Sequence, residues 1–177
     1  MENKVKVYFA APQNTPYQRA FVLECVNQLK NAGFVVYLAA DEYLEDQSAF
    51  AVTMEAEGKP LYSDESAGGT LAKSAKAGRV FVDNYIHLKR SDALVALLDG
   101  SQVDDRVACE IGLFYGLMHA DKTKKGILGL ATDARCLLRR DTAFGVNIFT
   151  MGTLEEVGKA VENLDALISE LALLSEE

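Results

Sequence analysis

The sequence predicts an α/β fold, an open doubly wound sheet of about five mainly parallel strands flanked by helices. Short apolar runs alternate along the chain with longer stretches of helical periodicity, the pattern of successive β-α-β units. One run, Ala93-Leu94-Val95-Ala96-Leu97-Leu98, is apolar on both faces, as a central parallel strand covered on each side should be. The length, 177 residues, suffices for one domain with a sizeable core and is short for two.

Val5 to Ala10 is the first predicted strand, β-branched and aromatic, ended by Ala11-Pro12. A loop follows, in which Thr15 can cap a helix with Pro16 at its first position. That helix runs to about Asn31, with Ala20, Phe21, Leu23, Val26 and Leu29 at helical spacing and Gly33 as its stop. Phe34 to Leu38 is the second strand, and the crossover should be right-handed. Residues 40–70 are irregular: an acidic run, Asp41 to Asp46, room for a short helix over Ala49 to Glu57, then Ser66 to Thr70 as loop. Such a long excursion is either a lid over the carboxyl edge of the sheet or a surface insertion. Leu71 to Arg90 is predicted helical, with a possible interruption at Gly78 and with Asp83, Asn84 and His87 on it.

After the apolar strand, Asp99-Gly100 opens a polar loop that ends in Asp104-Asp105, and a helix begins with Val107, Ala108, Ile111, Leu113 and Phe114 as apolar positions. Glu110 lies about one turn into it. Gly126 to Leu130 is the fourth strand, followed by a polar loop, Ala131 to Arg135. Val146-Asn147-Ile148-Phe149 is the predicted fifth strand. Gly152-Thr153 then caps a last helix, in which Leu154, Val157, Ala160, Val161, Leu164, Leu167, Ile168 and Leu171 recur at three and four. Strands and helices in this order predict a flavodoxin-like arrangement, with ligands in the crevice beyond the carboxyl ends of the strands.

Composition narrows the function. Hydrophobic residues are 49% of the chain, charged residues 25%, and the formal net charge is −8. Nucleic acid is not an expected bulk partner, because phosphate binding needs clustered Lys and Arg. An anionic membrane surface is unfavourable for the same reason, and no stretch is long enough to span a bilayer. Three cysteines, Cys25, Cys109 and Cys136, are widely spaced, which suggests neither a disulfide framework nor a zinc site. Cys25 and Cys109 fall in apolar helical patterns and are expected in the core. No apolar leader follows the N-terminus, so a reducing cytoplasm is the expected compartment.

The chain has no GxGxxG after its first strand, no GxxxxGK[ST] and no GxSxG, and only two histidines, His87 and His119. What remains is carboxylate chemistry. Three acids on one segment, Asp104, Asp105 and Glu110, repel one another unless something compensates. Asp104 or Asp105 can equally be a helix N-cap, and a solvated Glu110 is the plain alternative. A positioned carboxylate can attack a sugar anomeric carbon, whose oxocarbenium-like transition state favours a nearby negative charge. Asp104 and Glu110, with a tyrosine on the first strand, can supply this. Acids at strand ends also bind Mg²⁺ in receiver-like domains, but these need acids just after the first strand, where this chain has Ala11-Pro12.

The run SDALVALLDGSQVDDRVACEIG, from Ser91 to Gly112, resembles the nucleoside 2-deoxyribosyltransferase family. Supporting pieces are Val7 to Pro12, Ile127 to Arg135 and Val146-Asn147-Ile148, and the resemblance spans roughly Lys4 to Leu164. It implies that Glu110 is the nucleophile, that Asp104 helps to bind the substrate and that Tyr8 orients the nucleophile. It implies 2′-deoxynucleosides and free nucleobases as substrates, with no metal or organic cofactor. It further implies a homo-oligomer in which Asn147 reaches across a subunit interface to the sugar hydroxyls. Asp83, Asn84, Asp105 and Arg106 join Asn147 as substrate-binding candidates. Two departures stand out. Arg106-Val107 replaces the usual Gly-Thr, and an arginine there can hold Glu110 ionised or point outward. Asn84 stands where some members carry an aspartate, and an amide cannot deliver a proton to the departing base. Asp83, Asp104 or water must then do so. The competing readings are an N-glycoside hydrolase acting on a nucleoside or its 5′-monophosphate, and a non-catalytic nucleoside- or nucleotide-binding sensor.

Overall fold

In the first strand successive side chains divide between two cores. Tyr8 and Ala10 join one cluster of buried residues, and Val7, Phe9 and Ala11 join the other. The third strand divides the same way, Leu94, Ala96 and Leu98 against Ala93, Val95 and Leu97. This period of two, with both faces dry, is what a central parallel strand requires. The computed structural model describes residues 4–38, 75–133 and 146–176. The stretch read as a lid or insertion, 40–70, lies outside the described residues, as do Cys136 and most of the loop after the fourth strand.

The described elements are β1 (Lys6–Ala10), α1 (Pro16–Asn31), β2 (Val35–Leu38), α2 (Ala75–Arg90), β3 (Ala93–Leu97), α3 (Asp105–Ala120), β4 (Gly126–Leu130), α4 (Ile148–Val157), β5 (Gly158–Val161) and α5 (Leu164–Glu176). The five strands form one parallel sheet in the order β2-β1-β3-β4-β5. This is the flavodoxin-like strand order, with its switch point between β1 and β3. Buried residues of α1 and α5 pack on one face, and those of α3 and α4 on the other. The chain divides into two compact units, Met1–Ala39 with Leu88–Glu177, and Ala40–His87. The sheet belongs to the first; of the second, residues 75–87 of α2 are described.

Local chemistry explains the first crossover. Thr15 accepts from the Gln18 backbone N–H at 3.2 Å while the Gln18 side chain accepts from the Thr15 N–H at 3.0 Å, a capping box with Pro16 at the first position. At the other end Phe34 N–H donates to the Leu29 carbonyl and Gly33 N–H to that of Lys30, a Schellman closure with Gly33 at φ +100°. Val22 and Cys25 fill the buried face of α1, whereas Leu23, expected there, is 54% exposed.

The C-terminal third differs from the sequence prediction. Residues 146–149 do not form the fifth strand. Asn147 is the N-cap of α4, its side chain accepting from the Phe149 N–H at 2.9 Å and its carbonyl from the Met151 N–H at 2.9 Å. Met151 and Leu154 then bury one face of a helix that β-branched Val146 and Ile148 had masked. Thr153 is not a cap but sits inside α4, its hydroxyl donating to the Phe149 carbonyl at 3.0 Å. The continuous helix predicted from Leu154 to Leu171 is broken by β5, and Asn163 starts α5 by accepting from the Ala166 N–H at 2.8 Å. Helical spacing through Val157, Ala160 and Val161 is overridden because β4 offers an edge that only another strand satisfies.

Gly158 makes that pairing possible. A Cβ there would meet the Ile127 carbonyl oxygen at 1.7 Å, a backbone atom fixed in the sheet. Gly158→Ala should therefore lower the unfolding free energy by about 3 kcal/mol in denaturant titrations, the upper end of overpacking costs. Gly152, inside α4 with nothing within 4 Å of an added Cβ, is the control, and Gly152→Ala should be stabilising by up to about 1 kcal/mol.

Candidate active site

The helix that follows β3 starts because Asp104 caps it. One carboxylate oxygen of Asp104 accepts from the backbone N–H groups of Arg106, at 3.0 Å, and Val107, at 3.4 Å. The other accepts from Asn14 Nδ2 at 3.4 Å, joining the loop after β1 to the loop after β3. The cap reading of Asp104 is thus correct, and it leaves that residue at the sheet's switch point. Asp105 is exposed in the first turn of α3. Its charge there suits the positive end of the helix.

Six residues beyond Asp104, Glu110 is 4% exposed between the buried Val107 and Ile111. The fully buried Tyr8 of β1 donates its hydroxyl to Glu110 Oε1 at 2.8 Å. Arg106 lies one turn earlier on the same face, its Nε 4.0 Å from the same Oε1. Its Nη2 donates to the Ala11 carbonyl at 2.7 Å. Glu110 Oε2 is buried and, among the described residues, has no hydrogen-bond partner. A buried acceptor without a donor is costly, which marks the position as more than packing. Burial pushes the Glu110 carboxyl from 4.5 up to about 7. The Tyr8 hydrogen bond and the Arg106 charge pull it down, and the Asp104 charge adds to the push.

A cleft of about 380 Å³ opens between Pro12, Asn14 and Gln18 on one side and residues 99–105 on the other. Asp99, Asp104 and Asp105 line it, and among the described residues no Lys or Arg does. Glu110 and Tyr8 are not among its walls; Asp104 and Asp105, at the start of the Glu110 helix, are. Asp99 closes the β4 end of the site. It accepts from the Thr132 N–H at 2.6 Å, the Thr132 hydroxyl at 2.5 Å and the Asp133 N–H at 2.9 Å.

Of the residues singled out in the sequence, Tyr8, Asp104, Arg106 and Glu110 are thus brought together. Asn147 is exposed at the start of α4, followed by Ile148 and Phe149, each 83% exposed. Asp83 and Asn84 lie on α2 within the second unit, Asn84 buried and the Asp83 carboxylate 3.7 Å from His87 Nε2. Cys109 is exposed, contrary to the core position expected of it, because the helix turns it away from the face carrying Glu110 and Val107. Asn14, Asp99 and Thr132 were not anticipated. A carboxylate and a hydroxyl at the ends of adjacent predicted strands were the available signal. Among the described residues no group of three or more His, Cys, Asp or Glu is placed to hold a metal ion, and no helix is long and apolar enough to cross a membrane. The arrangement holds one carboxylate oxygen dry and unshared, on a helix whose first residues line a polar cleft: a nucleophile or a base that ionises near neutral pH.

The family model described as nucleoside 2-deoxyribosyltransferase matches residues 7–165. No curated protein matches the chain. Among solved structures, a conserved protein from Enterococcus faecalis V583 superposes with a TM-score of 0.61 at 23% identity, over 97% of this chain and 99% of that one. The 2-deoxyribosyltransferase from Bacillus psychrosaccharolyticus does so with a TM-score of 0.58 at 17% identity, over 96% of each chain. The 2-deoxyribosyltransferase from Leishmania mexicana gives 0.55 at 15% identity, over 98% of each chain. At these identities the likeness establishes the fold.

The raised Glu110 carboxyl has a consequence for stability. The native state keeps a proton that the unfolded chain releases near 4.5. The stabilisation is complete below that pH and is lost as pH rises through about 7. The swing is on the order of 3 kcal/mol. Measured in denaturant from pH 4 to pH 8, the wild type should lose stability relative to Glu110→Gln by about that amount. A difference that stays constant with pH would mean that Glu110 titrates as an unfolded glutamate does.

Proposed function

The chain belongs to the nucleoside 2-deoxyribosyltransferase family, and on that premise we propose that it moves the 2-deoxyribosyl group between nucleobases through a covalent intermediate on Glu110. The observation that carries this reading is the Glu110 carboxylate itself, buried, held at Oε1 by the Tyr8 hydroxyl and unshared at Oε2. Oε2 attacks C1′ of a 2′-deoxynucleoside, and the C1′–N bond breaks with its electron pair passing to the base. The leaving base takes up a proton, from Asp104 or water. A second base then attacks C1′ through a ring nitrogen, displaces the Glu110 carboxylate and gives up its proton. Two inversions at C1′ leave the configuration retained.

The carboxylate must be charged to attack, and it gains from the positive charge that builds at C1′. The Tyr8 hydrogen bond fixes the carboxyl plane, so little reorganisation is needed at the reacting oxygen. Asp104, in the cleft wall, is proposed to bind the substrate, with Asp105 at the rim. The three lining carboxylates favour a nucleoside with a free 5′-hydroxyl over its 5′-monophosphate, because a phosphate would meet like charge there. That argues for the transferase over a monophosphate hydrolase. Asn147 is proposed to serve the sugar hydroxyls of a neighbouring copy. Its exposed position and the exposed apolar pair Ile148-Phe149 beside it support an interface between subunits.

Base exchange tests the assignment. With 2′-deoxyinosine or thymidine as donor and free adenine or cytosine as acceptor, the wild type should form the new deoxynucleoside, and Glu110→Ala should lose at least about 1,000-fold of that rate. Free base released without any new nucleoside would instead identify a hydrolase, and tight binding without turnover a sensor.

Subunit complementation tests the shared site. Glu110→Ala and Asn147→Ala should each be inactive alone. Mixed and allowed to exchange subunits, they should regain activity, since a hybrid oligomer holds one site with both residues intact. No recovery in verified hybrids would confine Asn147 to its capping role.

A further inference from the structure

We infer that Arg106 is a positioning residue for Glu110: anchored on the Ala11 carbonyl at the end of β1, its guanidinium stands within ion-pair reach of Oε1, the oxygen the Tyr8 hydroxyl binds, and leaves Oε2 as the oxygen for the substrate. This rests on the proposed role of Glu110 as nucleophile.

The geometry is specific to an arginine. Nη2 donates to the Ala11 carbonyl at 2.7 Å while Nε stands 4.0 Å from Glu110 Oε1. A planar fork can serve a carbonyl and a carboxylate at once, whereas a lysine offers a single point charge on a flexible stem. Residues 106 and 110 share one face of α3, so the contact needs no bend in the helix. The anchor also matters. Ala11 follows directly on the strand that carries Tyr8, so both groups that face Oε1 are referenced to β1. The groups that face the carboxyl are then Tyr8 from β1 and Arg106 and Asp104 from the start of α3, one donor, one cation and one anion.

Two opposed effects follow. A cation near Oε1 favours the ionised carboxylate and so raises the fraction of enzyme ready to attack. The same cation disfavours positive charge on the sugar, so it does not help the chemical step once Glu110 is ionised. The guanidinium is about a quarter exposed, which places its effect at the low end of what a neighbouring charge does. Removing Arg106 should therefore weaken the enzyme on the acid side and spare it on the alkaline side. A purely structural role would weaken it at every pH.

The experiment is a pH profile of kcat/KM for base exchange, run beside an NMR titration of the ¹³C-labelled Glu110 carboxyl, for the wild type, Arg106→Ala, Arg106→Gln and Arg106→Lys. In the Ala and Gln variants the acid midpoint should rise by about one pH unit in both measurements, with about a tenfold loss at pH 6 and less than about threefold at pH 9. Arg106→Lys, which restores the charge, should bring the midpoint back towards wild type. An NMR midpoint that does not move in the Ala and Gln variants, or a loss equal at all pH values, overturns the positioning role. Failure of the underlying reading is separate. If Glu110→Gln still exchanges bases, Glu110 is not the nucleophile, and the NMR midpoint still reports whether Arg106 acts on it.

Discussion

The hydrogen bond from Tyr8 to Glu110 is the contact on which the site depends. It joins a strand to a helix across 102 positions of sequence and lies where almost no water reaches. A glutamate at such depth is costly, because its charged form loses most of its hydration. One donor on one oxygen offsets part of that cost and leaves the second oxygen unshared. The group is therefore poised, ionising near neutral pH rather than near 4.5. Fixing one oxygen also fixes the direction of the other, the property a nucleophile needs.

The sheet supplies the rigidity that makes this bond dependable. Tyr8 is paired in β1 with both β2 and β3, opposite Tyr37 and Leu94. It cannot move without disturbing two ladders. Glu110 in turn is set by where α3 begins, and α3 begins at Asp104, whose carboxylate holds two of the unpaired N–H groups at the helix start. Asn14 binds the other oxygen of Asp104, and Asp99 gathers the loop after β4 through three donors. The ends of β1, β3 and β4 are thus joined by carboxylates around the crevice in which ligands of such sheets bind. Of the acids that looked mutually repulsive as a cluster, Asp104 accepts from backbone and amide donors and Glu110 from the Tyr8 hydroxyl.

Their charge still has a role. A cleft edged by three carboxylates favours the proposed neutral sugar over a phosphorylated one. The cation in the neighbourhood, Arg106, is turned to the Ala11 carbonyl and to Glu110. Family membership, the parallel sheet and the poised carboxylate agree with one another, and the proposed transfer of a deoxyribosyl group needs no further chemistry than this chain's own carboxylates and an acceptor base.

The parts set by near neighbours in the chain were legible from the residues alone. Thr15-Pro16 and Gly33 bounded α1 through capping chemistry that spans a few residues, and the two-faced apolar run from Ala93 declared a central strand. The clustering of Asp104 and Glu110 after that strand pointed to the crevice. Only the tertiary structure decided which acid is dry and which oxygen is unshared: through long-range folding Tyr8 of β1 meets Glu110, and the Ala11 carbonyl after β1 anchors Arg106, whose place one turn before Glu110 is the part that spacing sets. It likewise decided that residues 158–161, helical by period, are a strand, since the open edge of β4 outweighs local propensity. It turned Asn147 from a strand residue into a helix cap for the complementary reason: Val146 and Ile148 favour a strand only where an unpaired edge is within reach, and here β5 has taken it. Periodicity reports which residues can share a face; burial and edge pairing depend on partners far away in the chain, and those settle the chemistry.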